Sequence, residues 1–108
     1  MTATRSEKIA EIIQRAAAEY LSRESNRVAL ITVTAVRLSN DEKYATILFT
    51  VLPTEKEQAA LEFAKRMRSD FREYVTEKTK IGRVPFFDFA IDEGEKHRQT
   101  IDRLSLEH

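Results

Sequence analysis

Apolar side chains recur at Ile9, Ile12, Ile13, Ala16, Ala17, Tyr20 and Leu21, the three-and-four spacing of an amphipathic helix whose apolar stripe faces a core. Thr4 followed three residues later by Glu7 fits a capping box in front of that helix. On its outer face Glu11 precedes Arg15 and Glu19 precedes Arg23 by four residues, the favourable order for helical ion pairs on a solvated surface. From Arg27 to Leu38 the chain turns β-branched and apolar. From Lys43 to Leu52, Ala45, Ile47, Phe49 and Val51 alternate with Tyr44, Thr46, Leu48 and Thr50, the period of a strand. Ser39-Asn40-Asp41-Glu42 is a short polar link of turn-forming residues, so the two strands are expected to form an antiparallel hairpin.

Pro53 ends the second strand, and Thr54 with Glu57 repeats the capping-box spacing at the head of a helical segment reaching to about Lys78. Ala60, Ala64, Met67, Phe71 and Val75 form its apolar stripe. Unbroken, such a helix would run roughly 37 Å, more than a small body needs, so a bend is expected near Ser69. Lys80-Ile81-Gly82-Arg83 forms a loop, and Pro85 opens a last strand with Phe87, Phe89 and Ile91 on one face. The order is α-β-β-α-α-β. The long helical link between the second and last strands calls for a right-handed crossover, giving an α+β fold with a three-stranded mixed sheet and helices packed on one face. Residues 95–104 are expected to add a loose helical turn or tail.

With 108 residues, two Gly and two Pro, the chain suits one regular domain, taken as residues 1–105. Leu106-Glu107-His108 looks like an expression-tag remnant. The absence of cysteine removes disulfides and thiolate metal sites and suits a reducing compartment, with the cytoplasm as default. No signal-peptide core or membrane-spanning run is legible. Net charge is zero, but its distribution is uneven. Residues 65–83 carry Lys65, Arg66, Arg68, Arg72, Lys78, Lys80 and Arg83 against Asp70, Glu73 and Glu77, whereas residues 84–108 hold six acids and three bases.

Catalytic chemistry finds little support. Nucleophilic catalysis needs a nucleophile beside a base, yet His97, the one histidine outside the terminal remnant, sits in a charged stretch. Gly82 and Gly94 stand alone, without a phosphate-cradling spacing. Asp41-Glu42 and Asp92-Glu93 flank expected turns, where capping explains them better than acid-base work or metal binding. No catalytic residue, metal site or cofactor is therefore assigned.

The basic stretch is the strongest functional signal. At 100° per residue Lys65, Arg68 and Arg72 fall on one helical stripe, and Lys78, Lys80 and Arg83 carry the charge into the following loop. Phosphate binding competes here with a plain solvated face. Phe49, Phe63, Phe71, Phe87 and Phe89 occupy core-type positions, which leaves Tyr44 and Phe86 as candidates for base stacking.

Val33-Thr34-Ala35-Val36-Arg37-Leu38-Ser39-Asn40-Asp41 followed by Tyr44-Ala45 resembles the strand-turn-strand signature of the ribosome-binding factor A family. Phe71-Arg72, then Val84-Pro85-Phe86-Phe87-Asp88-Phe89 and Asp92, is similar to that family's helical arginine and its Pro-x-apolar-x-Phe-x-x-Asp strand. The resemblance spans the chain from the first helix to Asp92 and implies a type II KH-like fold. It implies a non-enzymatic assembly factor that binds the small ribosomal subunit and its RNA during late maturation, acts in rRNA processing and supports growth in the cold; a monomer is expected separately, although the sequence leaves dimerisation open. Ribosomal proteins are further expected partners, and no membrane is involved. Standard KH domains clamp RNA with a GXXG loop. That loop is missing here, and the family's Ala-x-Gly bend is replaced by Met67-Arg68-Ser69. The rival reading is a protein-interaction module that grips its partner through the sheet edge or through the acids Asp88, Asp92 and Glu93.

Overall fold

The computed structural model describes residues 4–24 and 29–106. Arg27 and Val28, expected to open the first strand, and Glu107 and His108 of the expected tag remnant lie outside the described residues. Helix α1 spans Arg5–Glu24. The backbone N–H of Glu7 donates to Thr4 Oγ1 at 3.1 Å, the first half of the expected capping box. Ile9, Ile13, Ala16, Ala17, Tyr20 and Leu21 are its buried face.

Strands β1 (Leu30–Leu38) and β2 (Tyr44–Leu52) pair antiparallel, from Leu30 opposite Leu52 to Leu38 opposite Ala45. The register slips between Val33 and Ala35, so Thr34 is the extra residue of a bulge. The hairpin turn is built by side chains: Ser39 Oγ donates to Asp41 Oδ1, which also accepts from the Lys43 N–H, while Ser39 Oγ accepts from the Tyr44 N–H. The Ser39 bond, then the Lys43 amide, hold the Asp41 carboxyl below its ordinary range. Glu42 adopts a left-handed φ of 60°, and its side chain reaches Arg5 and Ser6 at the start of α1.

After Pro53 the chain makes a 3-10 turn over Thr54–Lys56 and enters helix α2 (Glu57–Arg66). The capping box expected at Thr54 does not form. The N-cap of α2 is Lys56, without a side-chain cap, and Glu57 instead binds Lys96. Helix α3 runs Arg68–Lys78, so the expected long segment is broken near Ser69, at Met67, the first of the three residues Met67-Arg68-Ser69. Met67 has φ −92° and ψ 7°, within reach of any L-residue, which is why this bend needs no glycine. Its N–H bonds the carbonyls of Phe63 and Ala64, and Arg68 Nε folds back onto the Lys65 carbonyl at 3.0 Å. Together these contacts supply hydrogen bonds where the helical ladder is interrupted.

Strand β3 (Phe86–Ile91) lies parallel to β2, with Tyr44 opposite Phe86, Ala45 opposite Phe87 and Ile47 opposite Phe89. The sheet order β1-β2-β3 puts the hairpin's second strand in the middle. One face carries Ala45, Ile47, Phe49, Phe87 and Phe89, which join α1, α2 and α3 in one core around Phe71 and Val75. The ring of Phe71 meets Tyr20, Phe87 and Phe89 at centroid distances of 5.2, 4.8 and 5.8 Å. Beside it, Tyr20 donates its hydroxyl to Asp70 on α3. Burial, then that carboxylate, push the hydroxyl's pKa well above the ordinary tyrosine value. Glu19 and Arg23, expected to pair with each other, both turn to Tyr74. Glu19 accepts from its hydroxyl and Arg23 lies over its ring.

The expected loose turn over 95–104 is helix α4 (Glu93–Leu106). Asp92 caps it, accepting from the Glu95 N–H at 3.0 Å, and also accepts from Thr34 at the β1 bulge. The Thr34 bond, then the Glu95 amide, hold the Asp92 carboxyl below the ordinary aspartate value of 3.8. A lowered folded-state pKa means that stability is present above the unfolded value and lost as pH falls through the folded one. Asp92→Ala is expected to cost about 1–2 kcal/mol at neutral pH. Urea melts of both forms should begin to converge below the ordinary aspartate value and meet once pH falls below the folded-state one; a gap that persists in acid would assign the loss to packing.

Candidate nucleic-acid interface

The six cations singled out in the sequence do not form one ridge. Lys65 and Arg68 flank the Met67 break and meet on one carboxylate oxygen, Asp88 Oδ1, at 3.1 and 3.3 Å. Lys78 and Lys80 border a shallow recess with Arg15, Glu19 and Tyr74, next to α1. Arg83 borders another with Arg5, Asp41 and Glu42, beside the hairpin turn. Folding therefore distributes the charge over three places.

The Lys65 and Arg68 side chains remain 42% and 48% exposed, so part of each stays at the solvent surface beside Asp88. Burial raises the Asp88 carboxyl, but the Phe89 N–H, Lys65 and Arg68 outweigh it and leave its pKa below the ordinary range. The site therefore contains its own counter-ion, and an approaching phosphate must compete with it.

Arg72 is used differently. Its Nε donates to the Pro85 carbonyl at 3.1 Å and its Nη2 to the Val84 carbonyl at 2.9 Å. Its guanidinium carbon stands 4.5 Å from the centre of the Phe86 ring. Arg72 thus ties α3 to the start of β3 through a planar fork that a lysine could not reproduce.

Strand alternation turns Tyr44, Thr46, Phe86 and Asp88 to the face opposite the helical core. The rings of Tyr44 and Phe86 lie 6.1 Å apart at an interplanar angle of 35° and are 61% and 59% exposed. Arg68, Ser69, Arg72, Glu73, Thr76, Glu77, Phe86 and Phe87 line an open groove alongside. What the sequence missed is this adjacency: alternation places both rings outside the core, but only the parallel register makes them neighbours.

The acidic set of the rival reading is largely engaged inside the molecule. Asp88 holds Lys65 and Arg68, Asp92 holds Thr34 and the start of α4, and Glu93 lies 4.0 Å from Lys96. His97 is a residue of α4. Among the described residues no group of three His, Asp or Glu could hold a metal ion, and no helix is long and apolar enough to cross a membrane.

The family model described as ribosome-binding factor A matches residues 5–105. A protein named ribosome-binding factor A from Thermobifida fusca is 37% identical over 108 residues, covering 94% of this chain and 70% of that one. Another of that name, from Methylobacterium nodulans, is 34% identical over 105 residues, covering 93% of this chain and 78% of the other. The crystal structure of ribosome-binding factor A from Thermus thermophilus superposes with a TM-score of 0.71 at 22% identity, over 82% of this chain and 97% of that one. Element order, mixed three-stranded sheet and bent helix pair define an α+β protein with the fold of that structure. The chain belongs to the ribosome-binding factor A family.

Proposed function

We propose that this protein is a ribosome assembly factor that binds the immature small ribosomal subunit and its RNA during late maturation. It acts without cofactor or catalysis, as a cytoplasmic monomer, supporting rRNA processing and growth in the cold. Family membership over residues 5–105 supports the ribosomal role. The observation that carries the RNA site is the break at Met67, which gathers two half-exposed cations, Lys65 and Arg68, at one edge of the sheet. Arg72 shapes that edge, while Lys78, Lys80 and Arg83 offer phosphate contacts at the two other places. Such contacts position an RNA backbone without reading its sequence.

Binding to isolated small subunits, and to their naked RNA, at roughly 50 and 200 mM salt tests this. Contact with about five phosphates predicts an affinity loss of about two powers of ten across that range. Replacing Lys65 and Arg68 together by Ala should weaken binding across many RNA sequences and flatten the salt slope by about one per lost contact. An unchanged slope would remove both residues from the site, and no binding to either target would overturn the assembly-factor reading. In that case the interaction-module reading, through the sheet edge or the acids Asp88, Asp92 and Glu93, would be the better account.

A further inference from the structure

We infer that Tyr44 and Phe86 form a stacking platform for an unpaired base of single-stranded RNA. The inference rests on the RNA-binding reading above and names the chemistry that its basic edge alone does not specify. Two large aromatic rings more than half exposed and side by side leave apolar surface in water that burial would otherwise use to stabilise the fold. Apart from the Arg72 guanidinium over Phe86, most of both rings stays open, although the alternate residues of β2 and β3, Ala45, Ile47, Phe87 and Phe89, are buried completely or nearly so. Arg72 lies against the Phe86 ring and, being tied to the Val84 and Pro85 carbonyls, restrains the ring before any ligand arrives.

The neighbouring charge selects the occupant. Asp88 follows Phe86 by two residues on the same face, about 6.6 Å along the strand, and holds the ammonium of Lys65 and the guanidinium of Arg68. A ligand on this edge therefore meets π-faces at one end and two exposed cations next to them. Single-stranded nucleic acid combines flat bases with an anionic backbone at that scale, whereas a double helix keeps its base faces stacked on one another. An apolar protein partner would cover the rings and gain nothing from the cations.

A single-stranded RNA of about ten nucleotides, within the usual site size of such surfaces, carrying one fluorescent 2-aminopurine, reads the contact directly. Stacking on the rings should quench its fluorescence when the wild-type protein binds at low salt. Phe86→Leu and Tyr44→Leu should each weaken binding roughly 5- to 150-fold, the range for one lost stacking contact, with the salt slope unchanged because no phosphate contact is removed. Phe86→Trp should restore both affinity and quenching, which separates stacking from a general effect on the fold. Leu variants that bind and quench like the wild type would overturn the platform, as would oligonucleotide binding without quenching. If small-subunit RNA binds with the expected salt slope but is indifferent to both Leu substitutions, the platform falls while the RNA-binding reading stands. Binding neither RNA overturns both.

Discussion

Phe71→Ala should destabilise the protein by about 3–5 kcal/mol, the range for removing a fully buried aromatic side chain. Phe71 is fully buried on α3, and its ring meets one residue of α1 and two of β3. Truncation would leave a cavity where α1, α3 and β3 join, and backbone held in two helices and a paired strand has little freedom to collapse into it. The neighbouring Tyr20 would lose a ring contact while its hydroxyl stayed tied to Asp70. With a shift of roughly 4–8 °C per kcal/mol for a domain of this size, the melting temperature should fall by well over about 10 °C. A loss under about 1.5 kcal/mol in urea titrations would show that the aromatic cluster is not the centre of the core.

Arg72→Ala should cost about 2–3 kcal/mol, as expected for hydrogen bonds from a charged donor whose acceptors are then left poorly satisfied. Val84 and Pro85 are buried, and both of their carbonyls receive the Arg72 guanidinium. Alanine removes both bonds, the packing of the aliphatic stem and the contact with Phe86. Arg72→Lys should recover less than half of the loss, because one ammonium cannot reproduce the planar fork. A denaturant midpoint that falls with an unchanged slope would confirm a pure stability effect. A loss below about 0.5 kcal/mol would instead free Arg72 for a role on the ligand. The expected loss also bears on binding assays: an Arg72 substitution mixes affinity with folding, and the Lys65 and Arg68 replacements, which free Asp88 and remove the Arg68 bond to the Lys65 carbonyl, are to be read beside the variant's melting temperature.

Local chemistry made much of the fold legible. The helical spacing of Ile9 through Leu21 gave the buried face of α1 apart from Ile12, which is exposed, the alternation of Ala45 through Val51 gave the core side of β2, and the polar run from Ser39 to Glu42 gave the turn. These signals read well because each depends on neighbours a few residues away. The errors arose where a distant residue competed. Glu57 could have closed a capping box with Thr54, but Lys96, 39 residues away, takes its carboxylate. Glu19 and Arg23 had the ideal spacing for an ion pair, but the Tyr74 ring docks between α1 and α3 and draws both.

The candidate site divides in the same way. Residue types and helical spacing brought Lys65, Arg68 and Arg72 to attention, and alternation placed Tyr44 and Phe86 outside the core. By itself the sequence determined the element order, the core stripes, the hairpin and, through the strand-turn-strand and Pro-x-apolar-x-Phe-x-x-Asp motifs, the family. Tertiary structure alone decided that six cations separate into three places, that Asp88 neutralises part of the first, that Arg72 binds carbonyls, and that two rings 42 residues apart become neighbours. The reason is physical: periodicity fixes which face a side chain occupies, but partners across a parallel register and around a helix break are set by packing and charge between segments far apart in the chain.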